Sequence, residues 1–425
     1  MKEDYSQILI DIQKKSRITV ENIKDLKNLK EEVESHSDVK IGFNTLRRLF
    51  GFLPKTVPSK NTLNLLSNYL GFASYSNYIN NKLNFDEWYF QQKLINLQFE
   101  NRIDTNSIET INNGLTNTNN IVAVANFVAH FIQQKNTKAL TYIFNSLQFP
   151  NLNDGESLKF ATIVSYHLLN IKKNEALEIY KQLIPVANFR NLVTLYYIDY
   201  TNLVGLYGDV LLLTKQISNQ SSDLFFVKLM LFYKDYFQNK KTTKTELISI
   251  PNDFNTFHHV LKGRYLAYLI LKSNTIDEDL EKHILHEIRK NQVSLISQEV
   301  IPALIVKEEY TLLSVIFEKH YEELFETTSW SYKTSNSINL IGMANVNWHQ
   351  KNYASAKNNL ALVELDKVEL GYYGYFSLFY YLTQLKLSFS ENDLINNKFA
   401  QSEITKFSIK TKFSIFDSLA KNFVI

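Results

Sequence analysis

The chain has 425 residues, room for a small domain followed by an extended array, and it contains no cysteine, which excludes disulfides, thiolate metal sites and a cysteine nucleophile. With 46 basic and 43 acidic residues the formal net charge is +3, so a uniformly basic or acidic surface is excluded and any polyanion contact has to be local. A reducing, cytoplasmic compartment is the expectation.

The N-terminal stretch MKEDYSQILIDIQKKSR carries Glu3, Asp4 and Asp11 and no apolar run of seven residues, so it is expected to be the start of the mature chain and not a secretory signal. Thr19 is expected to cap a helix over about 20–35, with Ile23, Leu26, Leu29 and Val33 on one stripe, ending at the polar turn SHSD. From Val39 to Phe85 there are six basic residues (Lys40, Arg47, Arg48, Lys55, Lys60 and Lys82) and no Asp or Glu, leaving 40 basic against 43 acidic residues elsewhere. Such a basic island is the footprint of a local polyanion contact.

Inside it, IGFNTLRRLFGFLPKTVPSKNTLNLLSNYLGF (41–72) reads as two helices and a Pro-punctuated connector. Leu46, Leu49, Phe50 and Leu53 stand at i, i+3, i+4 and i+7 and form a core face, with Asn44, Arg47, Arg48 and Gly51 opposite and Phe43 at the entrance. Ser59 is expected to cap the second helix, Leu63, Leu66 and Leu70 to bury it, and Gly71 with Phe72 to end it.

Past residue 85 apolar residues recur at helical spacing, no strand run stands out, and four pieces align on Ala139, Ala176, Val210 and Ala356. Their separations are 37, 34 and 146 residues, which predicts stacked helix pairs with a period in the mid-thirties. Pro150 and Pro185 fall 11 and 9 residues after Ala139 and Ala176, where such helices should end. The longest uncharged aromatic run, GYYGYFSLFYYL (371–382), is too short to cross a bilayer, so no membrane partner is expected.

Catalytic signatures are missing: there is no GxxxxGK[ST], GxGxxG or HExxH. His283, His286 and Glu287 lack an obvious third ligand, and the pair His258–His259 has no support around it. A non-enzymatic protein without a cofactor is expected.

The order Ile41, Gly42, Thr45-Leu46-Arg47-Arg48-Leu49, Pro-Ser connector and TLxxLxxxLG helix resembles the Cro/C1-type helix-turn-helix. It is similar, more closely, to an N-terminal domain found in Bacteroidota proteins, in TLRRLFGF (45–52) and NTLNLLSNYLGF (61–72), with Asn61 where Ser is usual. The repeats resemble tetratricopeptide repeats, best in ANVNWHQKNYASAKNNLALVELD (344–366). The resemblance implies an all-α fold: a small helix-turn-helix bundle over 1–82, then a TPR-like α-solenoid of antiparallel helix pairs over 83–425. It further implies a recognition helix starting near Phe43, with Phe43, Asn44 and Arg47 toward base edges and Arg48, Lys55 and Lys60 on phosphates.

The function expected from this layout is that of a DNA-binding transcriptional regulator, as in the peptide-sensing regulators that pair the same two modules. Its repeat domain would bind a peptide or protein in the solenoid groove or mediate homodimerisation. The alternative is a TPR-like interaction scaffold without nucleic-acid binding.

Overall fold

The computed structural model describes residues 5–35, 40–54, 56–81, 86–100, 103–149, 152–240, 247–325 and 332–425. Among them the regular structure is entirely helical, with no strand. Lys55, Lys82, Pro150 and the turn at 36–38 lie outside the described residues. The chain divides into two compact units, Met1–Gln91 and Gln92–Ile425.

The first unit contains α1 (Ser6–Ser16), α2 (Ile23–Ser35), α3 (Phe43–Leu49), α4 (Lys60–Leu70) and α5 (Tyr75–Asn81). Ile8, Ile12, Leu26, Leu29, Val33, Leu46, Leu49, Leu63 and Leu66 bury one face of each of the first four helices in a common core. Leu26, Leu29 and Val33 of the expected α2 stripe are buried, but Ile23 is exposed, and the helix start differs as well. Asn22, not Thr19, accepts hydrogen bonds from the backbone N–H groups of Lys24 and Asp25 (2.9 and 3.1 Å), while Val20 N–H is taken by the Gln13 side chain at 2.8 Å. An amide that can accept two orphan helix N–H groups outcompetes a threonine three residues upstream. At α4 the expectation holds: the Ser59 hydroxyl accepts from Thr62 N–H, and Phe72 N–H closes the far end on the Ser67 carbonyl at 2.9 Å.

The unit boundary falls within α6 (Asp86–Glu100). The second unit continues with α7 (Thr105–Leu115), α8 (Ile121–Gln133), α9 (Thr137–Ser146), α10 (Asp154–Leu169), α11 (Lys173–Leu183), the single turn α12 (Ala187–Phe189) and α13 (Leu206–Ile217). It ends with α14 (Ser221–Phe237), α15 (His259–Lys272), α16 (Glu278–Lys290), α17 (Val293–Val306), α18 (Tyr310–Leu324), α19 (Tyr332–His349), α20 (Tyr353–Ala361), α21 (Leu370–Ser390), α22 (Leu394–Thr411) and α23 (Ile415–Ala420).

A repeated backbone device joins several of these helices. Lys135, Asn239, Glu308, Lys351 and Asn392 all have φ between +52° and +61°. In each case the following N–H bonds back to a carbonyl five residues earlier, as in Asn136 to Phe131 (2.9 Å) and Asn352 to Asn347 (2.8 Å). The orphan carbonyls at the helix end are thereby satisfied and the chain reverses. Asn136, Asn352 and Asp393 then cap the next helix with their side chains.

Counting from the N-caps at 136, 172 and 352 moves the α9 anchor by one residue, whereas Val210 stands fifth after the α13 N-cap, Gly205. The fourth residue after the cap is Leu140 in α9, Ala176 in α11 and Ala356 in α20, all fully buried, whereas Ala139 is only half-buried. The period also drifts. N-caps at 136, 172 and 205 are in the mid-thirties apart, but those at 309, 352 and 393 stand 43 and 41 residues apart, because α19 and α21 grow to 18 and 21 residues.

Helices α15, α17, α19 and α21 pack in succession, and α23 packs on both α14 and α21. Tyr200, Tyr233, Phe237, Tyr375, Phe413 and Phe416 meet between them, with the Tyr200 and Tyr375 rings stacked at 4.5 Å.

Between Leu195 and Gly205 the helical pattern breaks, and this segment reaches α21, where Thr201 N–H bonds to Gly371 O at 3.1 Å. A Cβ at Gly371 would lie 1.9 Å from Ile198 O. Gly371→Ala is therefore expected to lower stability by about 1–3 kcal/mol through overpacking against backbone. Gly374→Ala, whose nearest Cβ neighbours are the side chains of Thr201 at 3.0 Å and Thr411 at 3.2 Å, should cost less. Urea unfolding of the two variants checks the order, and equal effects would contradict it.

Candidate nucleic-acid interface

The basic island folds into α3, the connector and α4. Helix α3 has only seven residues: Gly42 precedes it in extended conformation, and Gly51 at φ +84° stops it, a conformation that a side chain would strain. Leu53 lies beyond the helix end, where its N–H turns back to Arg47 O at 3.1 Å, and it is half-buried. The first unit's acids lie elsewhere, with Asp11 on α1 and Asp25, Glu31, Glu32 and Glu34 on α2. Glu34 ties the two parts together. Its carboxylate accepts from Ile41 N–H at 2.8 Å and from Lys30 at 2.6 Å, and the Lys30 bond holds it below the usual carboxylate range.

Five of the six expected contact residues are described, and Lys55 lies outside. Asn44, Arg48 and Lys60 are exposed, while Phe43 is half-buried and packs on the unit's core. Arg47 differs from the helical-wheel expectation of a freely exposed side chain. It is half-buried, its Nε lies in the interior without a hydrogen-bond partner, and Nη1 donates to Asn44 Oδ1 at 3.4 Å. A seven-residue helix sunk against α2 covers part of the face that a longer helix would present.

No carboxylate among the described residues forms an ion pair with Arg47, Arg48 or Lys60. Lys60 also stands in the first turn of α4, the positive end of the helix dipole, where a cation is disfavoured without a nearby anion.

In the second unit, sequence reading passed over a buried polar network. Arg264 on α15 donates to Glu299 on α17 at 2.7 Å and to the Tyr372 hydroxyl at 2.8 Å, and Tyr200 donates to the other Glu299 oxygen at 2.6 Å. Both charged residues are almost wholly buried. The available signal was a single Arg or Glu inside otherwise apolar helices, in GRYLAYLI and SQEVIPALIV. Among the described residues no three His, Asp or Glu side chains converge to hold a metal, and no helix is long and apolar enough to cross a membrane. No family model matches the chain, and neither a curated protein nor a solved structure matches it.

Proposed function

We propose that this protein is a DNA-binding regulator whose first unit contacts the duplex through α3 and the start of α4. The observation that carries this reading is the segregation of charge. Arg47, Arg48 and Lys60 lie on an acid-free segment and have no carboxylate partner among the described residues, as cations do when they are meant for phosphates. In this reading Arg48 and Lys60, both exposed, hold the backbone. Asn44 and Arg47, already bonded to each other, present an amide and a guanidinium edge to bases, with Phe43 beside them.

The second unit serves association. The surface that supports partner binding is α22, where Ile395, Phe399 and Ile409 share one side and are 82%, 52% and 72% exposed. Self-association there would pair two DNA-binding units, which one small module needs for useful affinity.

Fluorescence anisotropy of the full chain on genomic duplex fragments tests the proposal. Arg48→Ala and Lys60→Ala are each expected to weaken all sequences alike and to lower the salt slope by about one unit. Arg47→Ala should cost about 1–3 kcal/mol on the preferred fragment only. If the double change Arg47→Ala with Arg48→Ala leaves binding unaltered at moderate salt, the DNA reading fails and the unit is a docking module.

A further inference from the structure

A cavity of about 150 Å³ lies inside the second unit where the irregular segment 195–198 meets the starts of α15 and α21. Leu158, Leu195, Phe226 and Val260 supply apolar wall, and His258, Arg264, Glu369 and the tyrosines 196, 197 and 372 supply the polar part. The space compares with an engineered apolar cavity that accepts benzene, so it suits a molecule of roughly six to eight heavy atoms.

The charges around it do not balance. Arg264 is already neutralised by Glu299 at 2.7 Å. His258 accepts Val260 N–H on Nδ1, so its other nitrogen carries the proton that faces the Asp154 carboxylate at 3.3 Å, and burial lowers its pKa, keeping the ring neutral. Tyr196 donates to the same Asp154 at 3.0 Å. That leaves Glu369, which precedes α21 and forms no ion pair among the described residues. Burial pushes its carboxyl up to about 7, with Arg264, Glu299 and the Thr334 hydroxyl as its polar surroundings. When Glu369 ionises, the cavity holds a negative charge that has no ion-pair partner among the described residues, beside the side chains of Tyr196, Tyr197 and Tyr372.

We infer that this cavity binds a small primary amine with an apolar body, its ammonium held by Glu369 and its body packed on Leu158, Leu195, Phe226 and Val260. An ammonium brings a positive charge, three donors and no acceptor, which matches an ionised carboxylate that forms no ion pair among the described residues. Binding a cation draws Glu369 into its ionised form, so affinity rises with pH through about 7 and then levels. Asp199, held by Asn202 and pushed up to about 6 by burial, titrates nearby. The Glu369→Gln variant separates the two groups.

Titration calorimetry of the full chain at pH 6 and pH 8 tests this with 3-methylbutan-1-amine, the matching alcohol, 4-methylpentanoate and leucine. The amine is expected to bind about tenfold more tightly at pH 8 than at pH 6, and the alcohol at least tenfold more weakly than the amine. Glu369→Gln should remove the pH dependence and most of the affinity. Leu158→Trp, which fills the space and keeps every charge, should abolish binding whether or not the glutamine variant folds. Absence of amine binding to the unaltered protein, tighter binding of the carboxylate or of leucine, or amine binding that survives Leu158→Trp would each overturn the inference.

Discussion

Arg264→Ala is expected to lower the stability of the second unit by about 3–5 kcal/mol, the cost of leaving a buried partner charge uncompensated. Glu299 would then keep two neutral donors, the hydroxyls of Tyr200 and Tyr372, in a site walled by Phe226 and Tyr233 and cut off from water. The network spans residues 200, 264, 299 and 372, so its loss also loosens the packing of α15 and α17 against α21 and the irregular segment. Replacing both charges, Arg264→Met with Glu299→Leu, should recover much of the loss, because an apolar pair needs no desolvation compensation. The remaining deficit would report the two stranded tyrosine hydroxyls. Urea unfolding followed by near-ultraviolet circular dichroism, dominated here by the tyrosine-rich second unit, gives the double-mutant cycle. A single-variant loss below about 1 kcal/mol would mean that water reaches Glu299 and the network carries little.

What was legible in the sequence is what local spacing encodes. Ser59, Gly71 and Phe72 act at the ends of α4 as their order suggests, and Leu26, Leu29, Val33, Leu46 and Leu49 are buried as their periodicity requires. The Thr19 cap failed because the deciding acceptor was a different side chain, Asn22, and because Gln13, seven residues from Val20, captured that N–H. In α9 the anchor shifts from Ala139 to Leu140, because the reversal at Lys135 and the Asn136 cap set the register there and an alanine does not.

The basic segment was visible as a charge pattern, yet the half-burial of Arg47 was not. It depends on α3 ending at Leu49, which the apolar stripe running to Leu53 obscured. The cavity was less legible still. In the sequence His258 is one half of a histidine pair, and Glu369 resembles any solvated residue of the ELDKVEL stretch. Their setting is made by residues 158, 195–198, 226 and 264, brought together by contacts between segments far apart in sequence, which no periodicity reports.

Lys386 leads to a second large effect, with a sign opposite to intuition about a buried cation held by aromatics. It stands on α21 almost wholly buried, bonded to the Tyr310 hydroxyl and, at 3.3 Å, to Asn345 Oδ1, with the rings of Tyr310, Trp348 and Phe423 5.0, 5.1 and 5.5 Å away. No carboxylate forms an ion pair with it among the described residues. Desolvation lowers its pKa from the ordinary lysine value of 10.5 to about 8, only partly opposed by Glu308. Between those two values the unfolded chain binds the proton and the folded chain does not, so stability rises with pH across that window. Below about pH 8 both states are protonated and the full burial cost is present. Relative to Lys386→Met, a variant of similar length without a charge, the unaltered protein is expected to gain about 2 kcal/mol between pH 7 and pH 9.5. The buried tyrosines titrate above that range in both proteins and cancel in the difference. Parallel denaturant titrations across this range read the gain directly. A difference between the two proteins that stays flat with pH would mean that the aromatic cage, through its cation–π attraction, keeps Lys386 protonated at the ordinary lysine value.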